Sequence, residues 1–448
     1  MRHLSFILPF LLVGSSHAQL TWHNPSEASC HAFYSNAPHI AVRYTVNEAF
    51  KTHITDSIGL YRIDSEGKWE RCNGNYSLGD TIRFGFHSTR KDTYHDMGFE
   101  YRLYLPPHGS VEWLEIGIPE ANELAFIPSS PEKPMIVYGA SCPAIYWDQV
   151  QRSLDYPLIN LTFSGKEHAG KYILDLMSEK DARLYIFTEA EECDHIRRAV
   201  RQIRARDKTT PILFIDHSST NAHIEKEIRD ILHIPCGTLP TTIPVTQRRE
   251  PDNYEWKKRH DDILSLNKTN PPRSVILGNS ITHFWGGEPA GPRRNGTESW
   301  NTYMQPEGFR NLGYGWDRIE NVLWRVYHDE LDGYEAEKVI LMIGTNNMGI
   351  NSDDEIIEGL RFLLSAISKR QPKAAIKVIG ILPRRNQEQW VNRINRRIEE
   401  MTKEEGHIFR NAGNILLNTN GKIDESLFID GLHPNGKGYH LLGILIAD

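Results

Sequence analysis

The sequence predicts a β-sandwich followed by two α/β units in tandem. In the first part of the chain, runs of β-branched and aromatic residues are separated by Gly, Asn, Asp and Pro at the short intervals typical of a sandwich. After the proline-rich segment 128–134 the pattern changes to alternating strands and helices, which indicates a parallel sheet. This alternation stops at the irregular stretch 235–253 and then restarts. Since 448 residues are too many for one ordinary core, several domains are expected.

These changes of pattern predict four segments: a signal peptide at 1–18, a β-sandwich at 19–130, a first α/β unit at 131–250 and a second α/β unit at 251–448. Near the N-terminus Arg2 and His3 precede an apolar run, and Ser16-His17-Ala18 fits a small-x-small cleavage site. The run is shorter than the roughly 20 residues that span a bilayer, which makes a membrane anchor the poorer interpretation. We therefore expect export, with cleavage near Ala18 and residence in the periplasm or outside the cell.

Local patterns place the individual elements. Residues with β propensity predict sandwich strands at 40–46, 57–63, 81–86, 99–105 and 111–118. The first α/β unit is expected to have strands at 135–138, 157–163, 184–187 and 212–216, helices at 146–154 and 169–177, and a basic helix before its last strand. The second is expected to have strands at 275–277, 309–312, 338–343, 376–382 and 407–410, and helices at 316–331, 354–367, 388–401 and after Pro434. Aromatic residues on the sandwich strands fit either a core or a sugar-binding platform, and core is their commoner role.

Composition argues against several classes of protein. A net charge of −7 and a pI near 6.3 do not favour binding to nucleic acid or to an anionic membrane. No CxxC, HExxH or His-rich tract occurs, so neither a metal nor another cofactor is expected, and no later stretch predicts a transmembrane segment. All five cysteines precede residue 240. Because an exported protein meets oxidising conditions, disulfides are expected among them, with one thiol left over.

Four short polar blocks follow predicted elements of the second α/β unit: Gly278-Asn-Ser280, Asn311-Leu-Gly313, Gly344-Thr-Asn-Asn347 and Asp430-Gly-Leu-His433. Each block alone is typical of an ordinary turn. Because ligands of parallel sheets bind where the carboxyl ends of the strands meet, the blocks are expected to come together there. Ser280 opens a predicted helix, whose first backbone amides can stabilise negative charge. The order of the blocks, with serine first and Asp and His last, therefore indicates nucleophilic catalysis.

The four blocks resemble those of the SGNH (GDSL-type) hydrolase family, and segments 322–325, 370–372 and 381–384 resemble its platelet-activating-factor acetylhydrolase-like branch. The resemblance extends from about residue 256 to residue 448 and implies a flavodoxin-like, three-layer α/β/α fold. It also implies roles for five residues. Ser280 would be the nucleophile, His433 its general base, and Asp430 the group that orients the imidazole. The backbone N–H groups of Ser280 and Gly313, with the Asn346 side chain, would form the oxyanion hole.

Some residues depart from the family pattern or lie beside it. Asn279 and Asn347 stand where many members have Asp, and neither is expected to take part in the chemistry. The stretch 285–307 is rich in Gly, Pro, Asn and Trp, which is typical of a binding loop or lid, although a solvated loop without a role fits equally well. We expect His283 and Trp285 to shape the leaving side of the substrate. Arg384 is a further candidate for substrate binding, and an exposed basic residue at a helix start is the alternative.

The first α/β unit resembles the same superfamily more weakly, through Tyr138-Gly-Ala-Ser141 and the segment 159–165. It has no Gly-x-Asn block and no Asp-x-x-His block, so we expect a degenerate, catalytically inactive copy. Asp216-His217 is interpreted as a turn pair rather than a relocated dyad. The preceding sandwich resembles the N-terminal domain of bacterial exported hydrolases. Two disulfides are hypothesised, Cys142–Cys193 in the degenerate copy and Cys30–Cys72 in the sandwich.

Together these observations predict an exported serine esterase that removes small acyl groups, acetyl above all, from a carbohydrate such as an acetylated glycan. The carbohydrate substrate rests on family analogy rather than on residues. A lipid or aryl esterase is the alternative within enzymes. A non-catalytic glycan-binding protein with a vestigial hydrolase fold is the alternative from another class, and a serine peptidase ranks last.

Overall fold

The computed structural model describes residues 19–25, 30–46, 58–64, 67–76, 81–85, 94–95, 98–105, 111–140, 146–163, 175, 177–189, 193–215 and 218–447. The expected signal peptide at 1–18 lies outside these residues. The described residues fall into two compact units, the first within 1–62, 70–90 and 98–127 and the second within 63–69, 91–97 and 128–448. Both α/β parts therefore belong to the second unit. Among the described residues, no helix has the length and apolarity needed to cross a membrane.

Antiparallel strands build the first unit: β1 (Leu20–His23), β2 (Cys30–Ser35), β3 (His39–Val46), β4 (Gly59–Ile63), β5 (Trp69–Arg71), β6 (Gly74–Tyr76), β7 (Thr81–Gly85), β8 (Phe99–Tyr104), β9 (Val111–Pro119) and β10 (Leu124–Phe126). They form two five-stranded sheets with the orders β1-β9-β3-β7-β6 and β10-β2-β8-β4-β5. The inner faces share one core, in which Ile40 and Val42 of one sheet join Phe33 and Tyr101 of the other. Alternate residues of β3, Ile40, Val42 and Tyr44, face this core, and the expected β-rich module is confirmed.

Neither hypothesised disulfide is present. Cys72 and Cys193 both carry free thiols, so pairings with Cys30 and Cys142 are wrong. The side chain of Cys30 and the whole of Cys142 lie outside the described residues. Cys72 is buried in the sandwich core, and this burial raises the pKa of its thiol to about 12. A thiol in such surroundings packs as a small apolar side chain rather than as a reactive group.

A parallel four-stranded sheet forms the first α/β part, with β11 (Met135–Ala140), β12 (Leu158–Phe163), β13 (Leu184–Phe187) and β14 (Ile212–Phe214) in the order β12-β11-β13-β14. Its helices include Trp147–Leu154, Asp194–Arg206 and Asn221–Leu232. The expected basic helix is the second of these. The expected helix 169–177 falls largely outside the described residues, as do Ser141 and the pair Asp216-His217.

The second α/β part has a parallel sheet of five strands, β15 (Ser274–Gly278), β16 (Phe309–Gly313), β17 (Lys338–Met342), β18 (Ala375–Ile379) and β19 (Ile408–Arg410). Their order, β16-β15-β17-β18-β19, is the flavodoxin-like order that was expected. The main helices are Trp256–Thr269, Ile319–Tyr327, Asp353–Arg370, Glu388–Glu404 and Gly436–Ala447. Because helices cover both faces of the sheet, β15 and β16 are buried throughout, which explains their continuous apolar character.

The two α/β parts share one hydrophobic core, which contains Val137 of β11 and Val275 of β15. Polar contacts reinforce this packing, since the indole of Trp324 donates to Asp155 at 2.7 Å. The proline-rich segment between the sandwich and the first α/β part is also packed against the second. There the buried carboxylate of Glu132 accepts from Nδ1 of His328 at 2.7 Å. A composition typical of a linker therefore belongs here to a fixed segment.

Candidate active site

Ser280 stands at the carboxyl end of β15, in the first position of the one-turn helix Ser280–His283. The side chain of Asn279 caps this helix by accepting from the Ile281 N–H at 3.0 Å. Gly278 has to be glycine, because a Cβ there would lie 2.7 Å from the Met342 carbonyl oxygen of the neighbouring strand β17. The tight turn leaves Ser280 only 8% exposed. Within the described residues its N–H has no hydrogen-bond acceptor, as expected for the first residue of a helix.

Ser280, His433 and Asp430 form a hydrogen-bonded row, although His433 lies 153 positions after Ser280 in the sequence. Nε2 of His433 lies 2.9 Å from Oγ of Ser280, and Nδ1 lies 2.7 Å from Oδ2 of Asp430. Oδ1 of Asp430 accepts from the His433 N–H at 2.8 Å. Burial acts to raise the pKa of Asp430, but these hydrogen bonds outweigh it and hold the pKa below its usual value. An ionised carboxylate only accepts, so Nδ1 carries the proton and Nε2 faces the serine hydroxyl as an acceptor.

The two asparagines of the third block have different tasks. The side-chain amide of Asn346 donates to the carbonyl oxygen of Asp317 at 3.0 Å, which leaves its second N–H for another acceptor. Asn347 is fully buried and accepts from the Ile319 N–H at 3.1 Å. Its amide also donates to Glu320 at 2.9 Å. Asn347 therefore fixes the start of the helix Ile319–Tyr327, whereas Asn346 is fixed by the loop that precedes this helix.

The structure contradicts the expected role of Gly313 as an oxyanion donor. Its N–H is already donated to Oδ1 of Asn311 at 2.8 Å. A Cβ at this position would lie 2.6 Å from the carbonyl carbon of Thr282, in the helix that carries Ser280. Glycine is needed here because β16 and that helix approach each other closely, not because its amide is free.

Trp316 is a residue of the site that the sequence pattern did not indicate. The helix predicted at 316–331 begins only at Ile319, and Trp316 adopts a left-handed conformation with φ of 64°. In the preceding residue, the Gly315 N–H is donated to Nδ1 of His283 at 3.1 Å. The Trp316 N–H, by contrast, makes no hydrogen bond within the described residues. It is the free amide of this loop, and no signal in the residue pattern separated it from Gly313.

A buried ion pair lies directly behind this loop. Asp317 and Arg325 are both fully buried, and Nε of Arg325 donates to Oδ2 of Asp317 at 2.9 Å. The other carboxylate oxygen accepts from the indole N–H of Trp256 at 2.8 Å. Burial raises the pKa of Asp317 to about 6, while Arg325 and these hydrogen bonds oppose the rise. Because these contacts fix the side chain of Asp317, its backbone carbonyl oxygen is also held in place and can position the Asn346 amide.

His283 and Trp285 are buried, whereas they were expected to shape the leaving side of the substrate. His283 is 1% exposed, and burial, aided by Arg259 and Arg325, lowers its pKa well below the usual value. The ring therefore stays neutral and can accept the Gly315 N–H. Trp285 is fully buried and donates its indole N–H to Oγ of Ser299 at 3.2 Å.

The stretch 285–307 is not the aperiodic loop that its composition suggested. It contains the short helix Thr297–Ser299, followed by a π-helical turn over Trp300–Met304. Trp300 is buried, and its ring lies 6.1 Å from that of Trp285 in an edge-to-face arrangement. The segment is thus anchored at both of its tryptophans, and a role in binding stays a prediction.

Arg384 lies next to the third block. Its guanidinium donates to the carbonyl oxygen of Thr345, the neighbour of Asn346, at 3.3 Å. The side chain is half-buried, and burial lowers its pKa. A substrate contact for Arg384 stays a prediction, with a position beside the site in its favour.

Replacing His283 with leucine is expected to lower the free energy of unfolding by about 1–3 kcal/mol, because the buried Gly315 N–H would lose its acceptor. Urea denaturation of the purified protein measures this change. The exposed His440 provides the control, since its replacement with leucine is expected to change stability by less than about 0.5 kcal/mol. Unchanged stability of the His283 variant, together with a raised KM for esters, would return His283 to the substrate site.

Comparison with known proteins agrees with this geometry. A GDSL-like lipase/acylhydrolase family model matches residues 276–441, and a second GDSL-like model matches residues 132–234. The model for the N-terminus of SGNH-hydrolase-type esterases matches residues 24–124. The chain belongs to the SGNH hydrolases. As a member of this family it is a carboxylic ester hydrolase.

Relatives of this SGNH hydrolase include two curated proteins. The alpha1 subunit of platelet-activating factor acetylhydrolase IB from Bos taurus is 26% identical over 205 residues, which are 45% of this chain and 84% of that protein. The alpha2 subunit from Rattus norvegicus is 25% identical over 205 residues, or 45% and 85% of the two chains. Among solved structures, a GDSL-like lipase from Bacteroides thetaiotaomicron is 21% identical, with a TM-score of 0.33 over 39% of this chain and 85% of that one.

The first α/β part of the SGNH hydrolase is the expected second copy of the domain. Directly after β13, its third strand, the first copy has the sequence Thr188-Glu-Ala-Glu-Glu192, without the Gly-x-Asn that carries Asn346 in the second copy. The Glu189 carboxylate accepts from the Ala140 N–H at 3.1 Å and lies 2.8 Å from Nε2 of His195. A carboxylate cannot donate a hydrogen bond to an oxyanion, and its charge would repel one. The missing asparagine fits the expected degeneracy, and the catalytic inactivity of the first copy stays a prediction.

Proposed function

We propose that this SGNH hydrolase is an exported serine esterase that removes acetyl or similarly small acyl groups from a carbohydrate. The observation that carries the proposal is the row formed by Ser280, His433 and Asp430, with its distances of 2.9 and 2.7 Å. Such a row activates a hydroxyl that is otherwise a weak nucleophile.

The reaction would proceed through an acyl-enzyme. Oγ of Ser280 attacks the carbonyl carbon of the ester while Nε2 of His433 takes the hydroxyl proton. The tetrahedral intermediate collapses, the ester C–O bond breaks, and His433 returns the proton to the leaving alcohol. A water molecule, deprotonated by His433, then attacks the acyl-enzyme, and the acid and free Ser280 are released. Asp430 holds the imidazole in the required tautomer and stabilises its protonated form.

Three donors would stabilise the tetrahedral oxyanion. They are the backbone N–H groups of Ser280 and Trp316 and the free N–H of the Asn346 side chain. The arrangement is supported by the hydrogen bond from Asn346 to Asp317, which ties the side-chain donor to the residue after Trp316. Donors fixed before the reaction stabilise the developing charge without reorganising, which is the main source of their catalytic effect.

Several observations support the substrate. The curated relatives carry the name acetylhydrolase, which favours a small acyl group here. The signal-like segment 1–18 and the sandwich module favour an exported enzyme acting on an extracellular glycan, by analogy with the family. Because platelet-activating factor is the substrate in the relatives' name, an acetylated lipid is the second candidate.

The acyl preference can be measured with p-nitrophenyl acetate, butyrate and octanoate. We expect kcat/KM to fall at least about tenfold from acetate to octanoate, since each misplaced methylene costs about 1–3 kcal/mol in a small pocket. Acetate release from acetylated xylo-oligosaccharides and from an acetylated phospholipid then separates the two alcohol classes. A preference for octanoate would contradict the proposed specificity for small acyl groups. Acetate release from the phospholipid but not from the xylo-oligosaccharides would contradict the proposed carbohydrate substrate.

A further inference from the structure

Trp316 combines two properties that seldom occur together. Its φ of 64° lies in the left-handed region, which is unfavourable for a bulky residue by about 1–3 kcal/mol. Its side chain is nevertheless 52% exposed, so burial of the indole does not compensate for the strain. Glycine would adopt this conformation at no steric cost. The protein thus holds a large aromatic side chain in solvent at a position where the backbone favours glycine.

The surrounding residues fix the backbone on both sides of this tryptophan. The carbonyl oxygen of Gly315 accepts from Tyr254 at 2.7 Å and from Gln247 at 2.8 Å. The carbonyl oxygen of Trp316 itself accepts from the guanidinium of Arg249 at 2.6 Å. The next residue, Asp317, is held through both its side chain and its carbonyl oxygen. The strained conformation is therefore determined by the whole loop, which is how strain persists at functional sites.

The loop lies beside the reacting groups. The Gly315 N–H donates to His283, which lies in the same one-turn helix as Ser280. The carbonyl oxygen of Asp317 accepts from the Asn346 side chain. Within the described part of the chain, no ring or guanidinium stacks on the Trp316 indole. An aromatic face is thus open to solvent next to the nucleophile.

We propose that the Trp316 indole is the platform on which a pyranose ring of the alcohol part of the substrate stacks. This inference rests on the esterase function proposed above. A small acyl group has too little surface to cover an indole, whereas the alcohol part of a glycan ester is large and extends into solvent. An indole offers a rigid apolar face with only two rotatable side-chain bonds, which suits the C–H face of a sugar ring.

The inference is tested with Trp316→Gly and Trp316→Phe in the full-length protein. Glycine keeps the backbone N–H and suits the left-handed conformation, whereas phenylalanine keeps an aromatic face. The measured quantity is the ratio of kcat/KM for an acetylated xylo-oligosaccharide to kcat/KM for ethyl acetate, whose alcohol has no ring. We expect Trp316→Gly to lower this ratio at least about tenfold through KM for the glycan, a loss typical of one stacking contact. Trp316→Phe should keep most of the wild-type ratio.

Tyr146→Ala is the control, because Tyr146 is an exposed aromatic residue of the first α/β part, with 59% exposure. It should leave the ratio unchanged. An unchanged ratio in Trp316→Gly, or an equal fall for both substrates, would overturn the platform, the second result indicating a role of the loop backbone alone. A wild-type enzyme that cleaves ethyl acetate but not the glycan would also overturn it. A wild-type enzyme inactive on both esters would instead contradict the proposed function itself.

Discussion

Ser280→Ala is expected to lower kcat for p-nitrophenyl acetate by about 10⁴- to 10⁶-fold, the range found when the nucleophile of a serine triad is removed. The loss is large because the hydroxyl forms the covalent intermediate, and no neighbouring group can replace it. His433 would still be oriented by Asp430, but its Nε2 would have no hydroxyl to deprotonate. Steady-state kinetics with the purified variant measure the effect, and circular dichroism shows that the variant is folded.

Ser141→Ala is the matched control for this experiment. Ser141 stands in the first block of the first copy, whose sequence has no Gly-x-Asn block and no Asp-x-x-His block. The control variant should retain the wild-type rate. Loss of activity with Ser141→Ala, and retention with Ser280→Ala, would show that the first copy is the catalytic one. A fluorophosphonate that labels Ser280, located by peptide mass mapping, would give the same answer without a substitution.

Asp430→Asn should lower kcat by about 10⁴-fold at neutral pH, as the same change does in other serine triads. The asparagine amide would donate to Nδ1 of His433, which forces the proton onto Nε2, the nitrogen that must accept from Ser280. The Asp430 backbone position should be preserved, because an asparagine oxygen can still accept from the His433 N–H. Kinetics and the pH dependence of kcat measure the change.

Asp424→Asn makes the same chemical change in a nearby carboxylate outside the row. Asp424 accepts from the Ser426 N–H at 3.0 Å, a cap that asparagine also provides. Its kcat should stay within twofold of the wild type. If Asp430→Asn lowered kcat by less than about tenfold, Asp430 would not be the residue that orients His433.

Local patterns were sufficient for the strand that precedes Ser280 and for one of the long helices of the same domain. The strand Ser274–Gly278 was predicted to within one residue at each end, because a buried parallel strand reads as a short apolar run that stops at a glycine. The helix Glu388–Glu404 was also expected, since its apolar residues follow the helical period. In both cases the determining contacts lie within the segment or on one face of it.

The assignments that failed depended on partners distant in sequence. Gly313 was expected to donate to the oxyanion, but Asn311 takes its N–H, a competition that spacing cannot show. His283 and Trp285 were expected to shape the leaving side of the substrate. They are buried because the loop at Gly315 and the helix around Tyr439 pack over them.

The sequence alone determined the family, the order of the domains, and the identity of the serine, aspartate and histidine that meet at the sheet edge. It could do so because each lies in a short block whose residue types the chemistry requires. Only the tertiary structure decided which amide of the loop after β16 is free, and that Trp316 is held exposed in a left-handed conformation. Those properties come from Tyr254, Gln247 and Arg249, which reach the loop from a different part of the chain. Long-range hydrogen bonds fix this backbone, and no local preference of the tryptophan would have produced it.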